Sequence, residues 1–171
     1  AVIKSHANEG DMLQVITPHK AYFIDSTKSV QVKDNIITFD INQDDLSMKG
    51  ELTIGELHPL KHKVMGPFTY LPMECRHEIY SMWHTLRGTL LINGKEVCFN
   101  KGRGYIEGDS GTNFPKRYVW YNSVTEDITA TFALASIPLF GFIHFIGILC
   151  FIKTKEKEYY LCTYNGAKLK K

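Results

Sequence analysis

The dipeptide Asn93-Gly94 sits between Gly88-Thr-Leu-Leu-Ile92 and Lys95-Glu-Val-Cys-Phe99. Two residues that tolerate positive φ, flanked by two apolar runs, match the two-residue type I′ turn, whose twist suits a pair of antiparallel strands. The same logic extends along the chain. Alternation with a period of two recurs between turn signals, and no window keeps apolar residues at i, i+3, i+4 and i+7 for three helical turns. Asn35–Ile41 and Leu46–Ile54 read as a hairpin about the polar turn Asn42-Gln-Asp-Asp45. Ile128–Ser136 and Phe142–Lys153 read as further strands, and the charged turn Thr154-Lys-Glu-Lys157 leads into another at Glu158–Tyr164. The expected fold class is therefore all-β and antiparallel. At 171 residues and 44% hydrophobic the chain can bury one core. Residues 1–171 hold no Pro/Ser-rich linker, repeat or low-complexity segment, so a single β domain is expected.

Charge narrows the partners. Lys plus Arg exceed Asp plus Glu by only 20 to 18, and the longest basic cluster is the terminal Lys168-Leu-Lys-Lys171, so no nucleic-acid partner is expected. Cys75, Cys98, Cys150 and Cys162 have no C-x-x-C spacing and no secretory signal precedes them, which reads as reduced thiols in a cytoplasmic protein. The chain opens at Ala1 without methionine, which reads as a processed product or an excised piece. Phe142–Ile152 is almost continuously apolar, but its 11 residues fall short of the roughly 20 that a membrane-spanning helix needs. As a strand it has Ile143, Phe145, Leu149 and Phe151 on one face and Phe142, His144, Ile146, Ile148, Cys150 and Ile152 on the other. Both faces should then be dry, either in a barrel wall covered by a second barrel or subunit or at the centre of a sandwich.

The chemistry concentrates in Gly102–Tyr121, GRGYIEGDSGTNFPKRYVWY. Glu107 and Asp109 stand two apart, so an extended backbone projects both carboxylates, and Tyr105, to one face. A carboxyl desolvated in an apolar barrel has a raised pKa and can act as a general acid near neutral pH. The competing reading is that the two carboxylates bind local backbone N–H groups or pair with Lys116 and Arg117. A second constellation, Met73-Glu-Cys-Arg-His-Glu-Ile-Tyr-Ser-Met-Trp-His84, reads as a loop feeding a strand. It holds His77 and His84 with Glu74, Ser81 and Trp83. Seven residues of strand send the two imidazoles to opposite faces, so hydrogen-bonded histidines near a pocket are expected rather than a metal site. Ser81 and His84 lack the G-x-S-x-G elbow of a hydrolase, and Gly102-x-Gly104 lacks the spacing and helix of a dinucleotide fingerprint.

Gly104-Tyr-Ile-Glu-Gly-Asp-Ser-Gly-Thr-Asn-Phe-Pro-Lys116, with Trp120 downstream, resembles the signature of the tocopherol cyclase family, commonly G-Y-I-E-x-D-x-G-x-S-F-P. Met65-Gly-Pro-Phe68, Met73-Glu-Cys-Arg-His77, Ser81-Met-x-His84, Ile137-Pro-x-x-Gly141 and Thr163-Tyr-Asn-Gly166 also look like bacterial members, so the resemblance spans Ile36 to Lys168. Ser110 stands where the plant motif has tryptophan, and the aromatic-rich opening strand and second barrel-like region of longer members are not found. The resemblance implies an antiparallel lipocalin-like (calycin-type) β-barrel, either incomplete or one half of a two-barrel protein, enclosing an apolar isoprenoid or polyene. It also implies cyclisation or hydration begun by protonating a double bond, with Asp109, Glu107 and Tyr105 catalytic. Trp120 and Tyr118 would face the developing carbocation, and His77, His84, Trp83, Glu74 and Lys116 would line the ligand site. No cofactor or metal is implied. The expected partners are the apolar ligand, a peripheral membrane surface, and either a second copy or a missing second barrel. A non-catalytic carrier of an apolar small molecule, or a structural half-barrel, fits the same residues.

Overall fold

The computed structural model describes residues 2–6, 12–16, 30–43, 46–112, 115–139 and 143–170. The fold is all-β and antiparallel, and two 3-10 turns, Gly66–Tyr70 and Thr163–Asn165, are the helical segments among the described residues. The strands are β1 (Val2–His6), β2 (Met12–Ile16), β3 (Val30–Lys33), β4 (Ile36–Gln43), β5 (Leu46–Ile54) and β6 (Cys75–Ile92). They continue as β7 (Lys95–Cys98), β8 (Gly102–Gly111), β9 (Tyr118–Val124), β10 (Ile128–Leu139), β11 (Ile143–Thr154) and β12 (Glu158–Tyr160). One sheet has the order β2-β1-β8-β6-β5-β4-β3 with β7 on β6, and the other β12-β11-β10-β9. No pairing among the described residues closes either sheet into a barrel. The chain divides into two compact units, residues 1–58 with 83–106 and residues 59–82 with 107–171.

In the first unit the turn chemistry acts as expected. Ile92 pairs with Lys95 across Asn93-Gly94, whose φ values of +48° and +79° are those of a type I′ turn. β4 and β5 pair from Ile36 opposite Thr53 to Gln43 opposite Leu46, and Asp44 and Asp45 of the expected turn lie outside the described residues. Alternate positions then fill one core: Ile37 and Phe39 of β4, Met48, Leu52 and Ile54 of β5, Leu86 and Leu90 of β6, and Phe99. Each such side chain contributes about 1.5–3 kcal/mol by leaving water.

In the second unit the register sets Thr131 between Asn122 and Phe151, and Ala133 between Trp120 and Leu149. On this face Val124, Asn122, Thr129, Thr131 and Phe151 are buried. The other face carries Val119 and Tyr121, each 57% exposed, Ile146 at 48% and Tyr159 at 49%. Within this chain the apolar run of β11 has Phe151 buried and Phe145 and Leu149 half-buried on one face and Ile146 exposed with Ile148, Cys150 and Ile152 half-buried on the other, while the side chains of residues 142–144 lie outside the described ones.

Two further expectations are corrected. β12 stops at Tyr160 rather than Tyr164, because Asn165 folds the chain back. Its amide donates to the Tyr160 carbonyl at 2.7 Å, its Oδ1 accepts from the Cys162 N–H at 2.7 Å, and Gly166 follows in the left-handed region at φ +95°. The expected loop around Met73–His84 is strand from Cys75 onward. Along β6 the buried positions are Ile79 and Ser81 and then, from Met82, His84, Leu86 and Leu90, so the alternation changes phase at Ser81–Met82. No helix among the described residues is long and apolar enough to cross a membrane.

Candidate functional site

Period two carries Tyr105, Glu107 and Asp109 to alternate positions of β8, as expected. In the second unit the two carboxylates bracket His77 of β6. The His77 Nδ1 lies 2.9 Å from Oδ1 of Asp109, and its Nε2 lies 3.4 Å from Oε2 of Glu107. The first contact is a hydrogen bond; the second is an ion-pair distance without hydrogen-bond alignment, since Nε2 has no hydrogen-bond partner among the described residues. Trp120 of β9 donates its indole N–H to the same Glu107 Oε2 at 3.1 Å. Asp109 keeps 30% of its side chain exposed, against 14% for His77 and 5% for Glu107, so the array runs from a wet carboxylate to a dry one.

Electrostatics bias the His77 ring toward its protonated form. Burial lowers the His77 pKa, but the hydrogen bond to Asp109 and the charges of Glu107, Asp109 and Glu78 outweigh it and hold the imidazole above its ordinary 6.5. The ring therefore holds its proton to a higher pH than a free imidazole does. Cys75, with Sγ 4.0 Å from Asp109, is pushed to about 11 by burial and by that carboxylate, and remains a thiol. Among the described residues no group of three or more His, Cys, Asp or Glu is placed to hold a metal ion. The two His77 nitrogens turn to separate carboxylates rather than to a common centre.

The other expected site residues fall elsewhere. Lys116 and Arg117 are exposed, and the side chain set between the two carboxylates is that of His77. Tyr118 is 58% exposed. Glu74 is half-buried and accepts the Thr112 N–H on its backbone carbonyl at 2.9 Å. Tyr105, Trp83 and His84 belong to the first unit, where Tyr105 and His84 are fully buried. Burial, then the charge of His58, drive the His84 pKa down to about 4, so this ring is neutral. Trp83 stacks on His58 with centroids 3.7 Å apart, and the Arg103 guanidinium lies 5.1 Å from the Trp83 ring. A Cβ on Gly104 would come 2.1 Å from Nε2 of His84, which explains that glycine of the signature by close approach rather than by turn geometry.

Sequence reasoning missed a second polar cluster in the second unit. Glu158 receives Lys153 Nζ, the Tyr160 hydroxyl and, at 3.1 Å, the Lys61 backbone N–H. Beside it Lys61, His62, Lys63 and Tyr160 contribute to the lining of a cavity of about 610 Å³. The available signal was the basic run Lys61-His-Lys63 combined with tyrosines at 70, 160 and 164. The fold and the array together define an all-β, antiparallel protein in which one histidine ring is set between two carboxyl groups. Comparison with protein-family models, with curated proteins and with solved structures gives no match to the chain.

Proposed function

We propose that the chain is a tocopherol cyclase-like protein that takes an apolar isoprenoid or polyene against a lipocalin-like β wall and adds a proton to one of its double bonds. The observation that carries this reading is the His77 ring set between Glu107 and Asp109, with the Trp120 indole N–H donating to the same Glu107 carboxylate. Entry of an apolar ligand strips water from the array, and desolvation favours a neutral carboxyl over a carboxylate. The Nε2–H proton then passes to Glu107, breaking an N–H bond and forming an O–H bond. Glu107 delivers that proton to an alkene carbon, leaving a carbocation that faces the π surface of Trp120. A hydroxyl oxygen, from the ligand in a cyclisation or from water in a hydration, closes on the cation. The proton it releases returns through Glu107 to His77, and Asp109 keeps the imidazole oriented throughout. No redox change occurs and no organic cofactor enters the scheme.

Mass spectrometry of apolar molecules that co-purify with the chain supplies the substrate for the test. Asp109→Asn and Glu107→Gln are each expected to bind that molecule within a few-fold of the parent; Glu107→Gln should lose about 10²–10⁴ in turnover, the ordinary contribution of a general acid–base group, and Asp109→Asn should lose turnover by leaving the His77 ring without its orienting charge. Full turnover in both variants rejects the acid–base reading. A second reading, a non-catalytic carrier, is favoured by one observation: the cavity of about 610 Å³ is lined by residues other than the array. Binding without conversion of the co-purified molecule would select it.

A further inference from the structure

The second unit's cavity has a composition unrelated to proton transfer. Its volume of about 610 Å³ lies within the roughly 300–1,000 Å³ of small-molecule sites. The charged side chains that line it, Lys61 and Lys63, are both cations. Its other main lining is aromatic: Tyr70, Tyr160 and Tyr164, with His62 edge-on to Tyr160 at a centroid distance of 5.4 Å.

The rings are held in place. Tyr160 gives its hydroxyl to Glu158, whose charge is met by Lys153, so the nearby carboxylate is compensated and does not line the cavity. Tyr164 packs edge-on to Phe68 at 6.5 Å, and Phe68 packs on Phe145 at 5.6 Å. Tyr70 is 80% exposed, yet its ring sits 5.1 Å from Lys63 Nζ, a cation–π contact that places a charge beside an open aromatic surface. Burial raises the pKa of both Tyr160, to about 12, and Tyr164, so these walls remain neutral and do not repel an anion.

We propose that this cavity binds an aromatic anion: a flat ring system seated among the tyrosines, with a phosphate or carboxylate group on Lys61 and Lys63. Neither half of the lining suffices alone. Two exposed lysines hold a bare anion weakly in water, and a neutral ring leaves their charges unanswered.

The test uses 1-naphthyl phosphate, 1-naphthol and inorganic phosphate, each titrated into the ¹⁵N-labelled chain and followed by two-dimensional amide spectra. Naphthyl phosphate is expected to shift the signals of residues 61–63, 70 and 160–165 and to bind at least about tenfold more tightly than either of the other two, a difference of about 1.4 kcal/mol. Lys61→Gln with Lys63→Gln, both at exposed positions, is expected to weaken naphthyl phosphate about tenfold or more and to leave naphthol unchanged. Spectral dispersion equal to the parent's establishes that this variant folds. The proposal fails if millimolar naphthyl phosphate leaves those signals in place, or if the double variant binds it as the parent does. It fails equally if inorganic phosphate or naphthol alone binds as tightly.

Discussion

Gly104 and His84 form a pair that neither residue explains alone. His84 is fully buried and neutral, and its Nε2 occupies the space where any side chain at 104 would begin, 2.1 Å from an ideal Cβ. A ring packed on all sides cannot give way by that distance, so Gly104→Ala is expected to cost about 3 kcal/mol, the upper end of overpacking penalties. Combining it with His84→Ala should cost less than the two single changes summed, because the clash then has no partner. Urea unfolding of the three variants checks both statements, and additive costs would show that the contact is not the cause. At this scale the sequence was informative about the carboxylates and silent about Gly104. Period two alone placed Glu107 and Asp109 on one face, whereas the need for Gly104 depends on which residue of β6 crosses β8.

Elements were legible where their punctuation is local. Asn93-Gly94 and the hairpin of β4 and β5 follow from turn residues and alternation within a dozen positions. β6 was not legible over its first half, because its buried positions change phase at Ser81–Met82 and a search for unbroken alternation stops there. β12 was overextended because Asn165-Gly166 ends it through hydrogen bonds back to Tyr160 and Cys162. What holds this end of the sheet is Lys153 of β11, whose Nζ donates to the Pro59 carbonyl at 2.9 Å and pairs with Glu158 of β12, both side chains being largely buried. Lys153→Met is expected to cost about 3 kcal/mol by leaving Glu158 without its cation. The pH dependence has a definite sign. Burial raises the Glu158 pKa, but hydrogen bonds from Lys153, Tyr160 and the Lys61 backbone outweigh this and set it below 4.5. That stability is present above the unfolded pKa of about 4.5 and is lost as pH falls through the lower folded value. Thermal melts from pH 7 to pH 3 should therefore converge for parent and variant at the acid end; a constant gap would contradict the pairing.

For the whole molecule, the sequence supplied the all-β class and four members of one array, Glu107, Asp109, His77 and Trp120, without the contact that joins them. That contact needs β6 and β8 in one sheet with β9 supplying its indole to Glu107, which no local pattern encodes. The His77 ring between two carboxyl groups has a raised folded pKa, and the sign of its linkage follows from that. The stabilisation is fully present below the unfolded value of about 6.5 and is lost as pH rises through the folded value. The most direct test is a titration of the His77 ring nitrogens by ¹⁵N NMR in the parent and in Asp109→Asn. A midpoint above 6.5 is expected in the parent and a lower midpoint in the variant, which lacks the Asp109 charge. A His77 ring that is neutral at pH 6.5, or a midpoint unmoved by Asp109→Asn, would contradict this expectation.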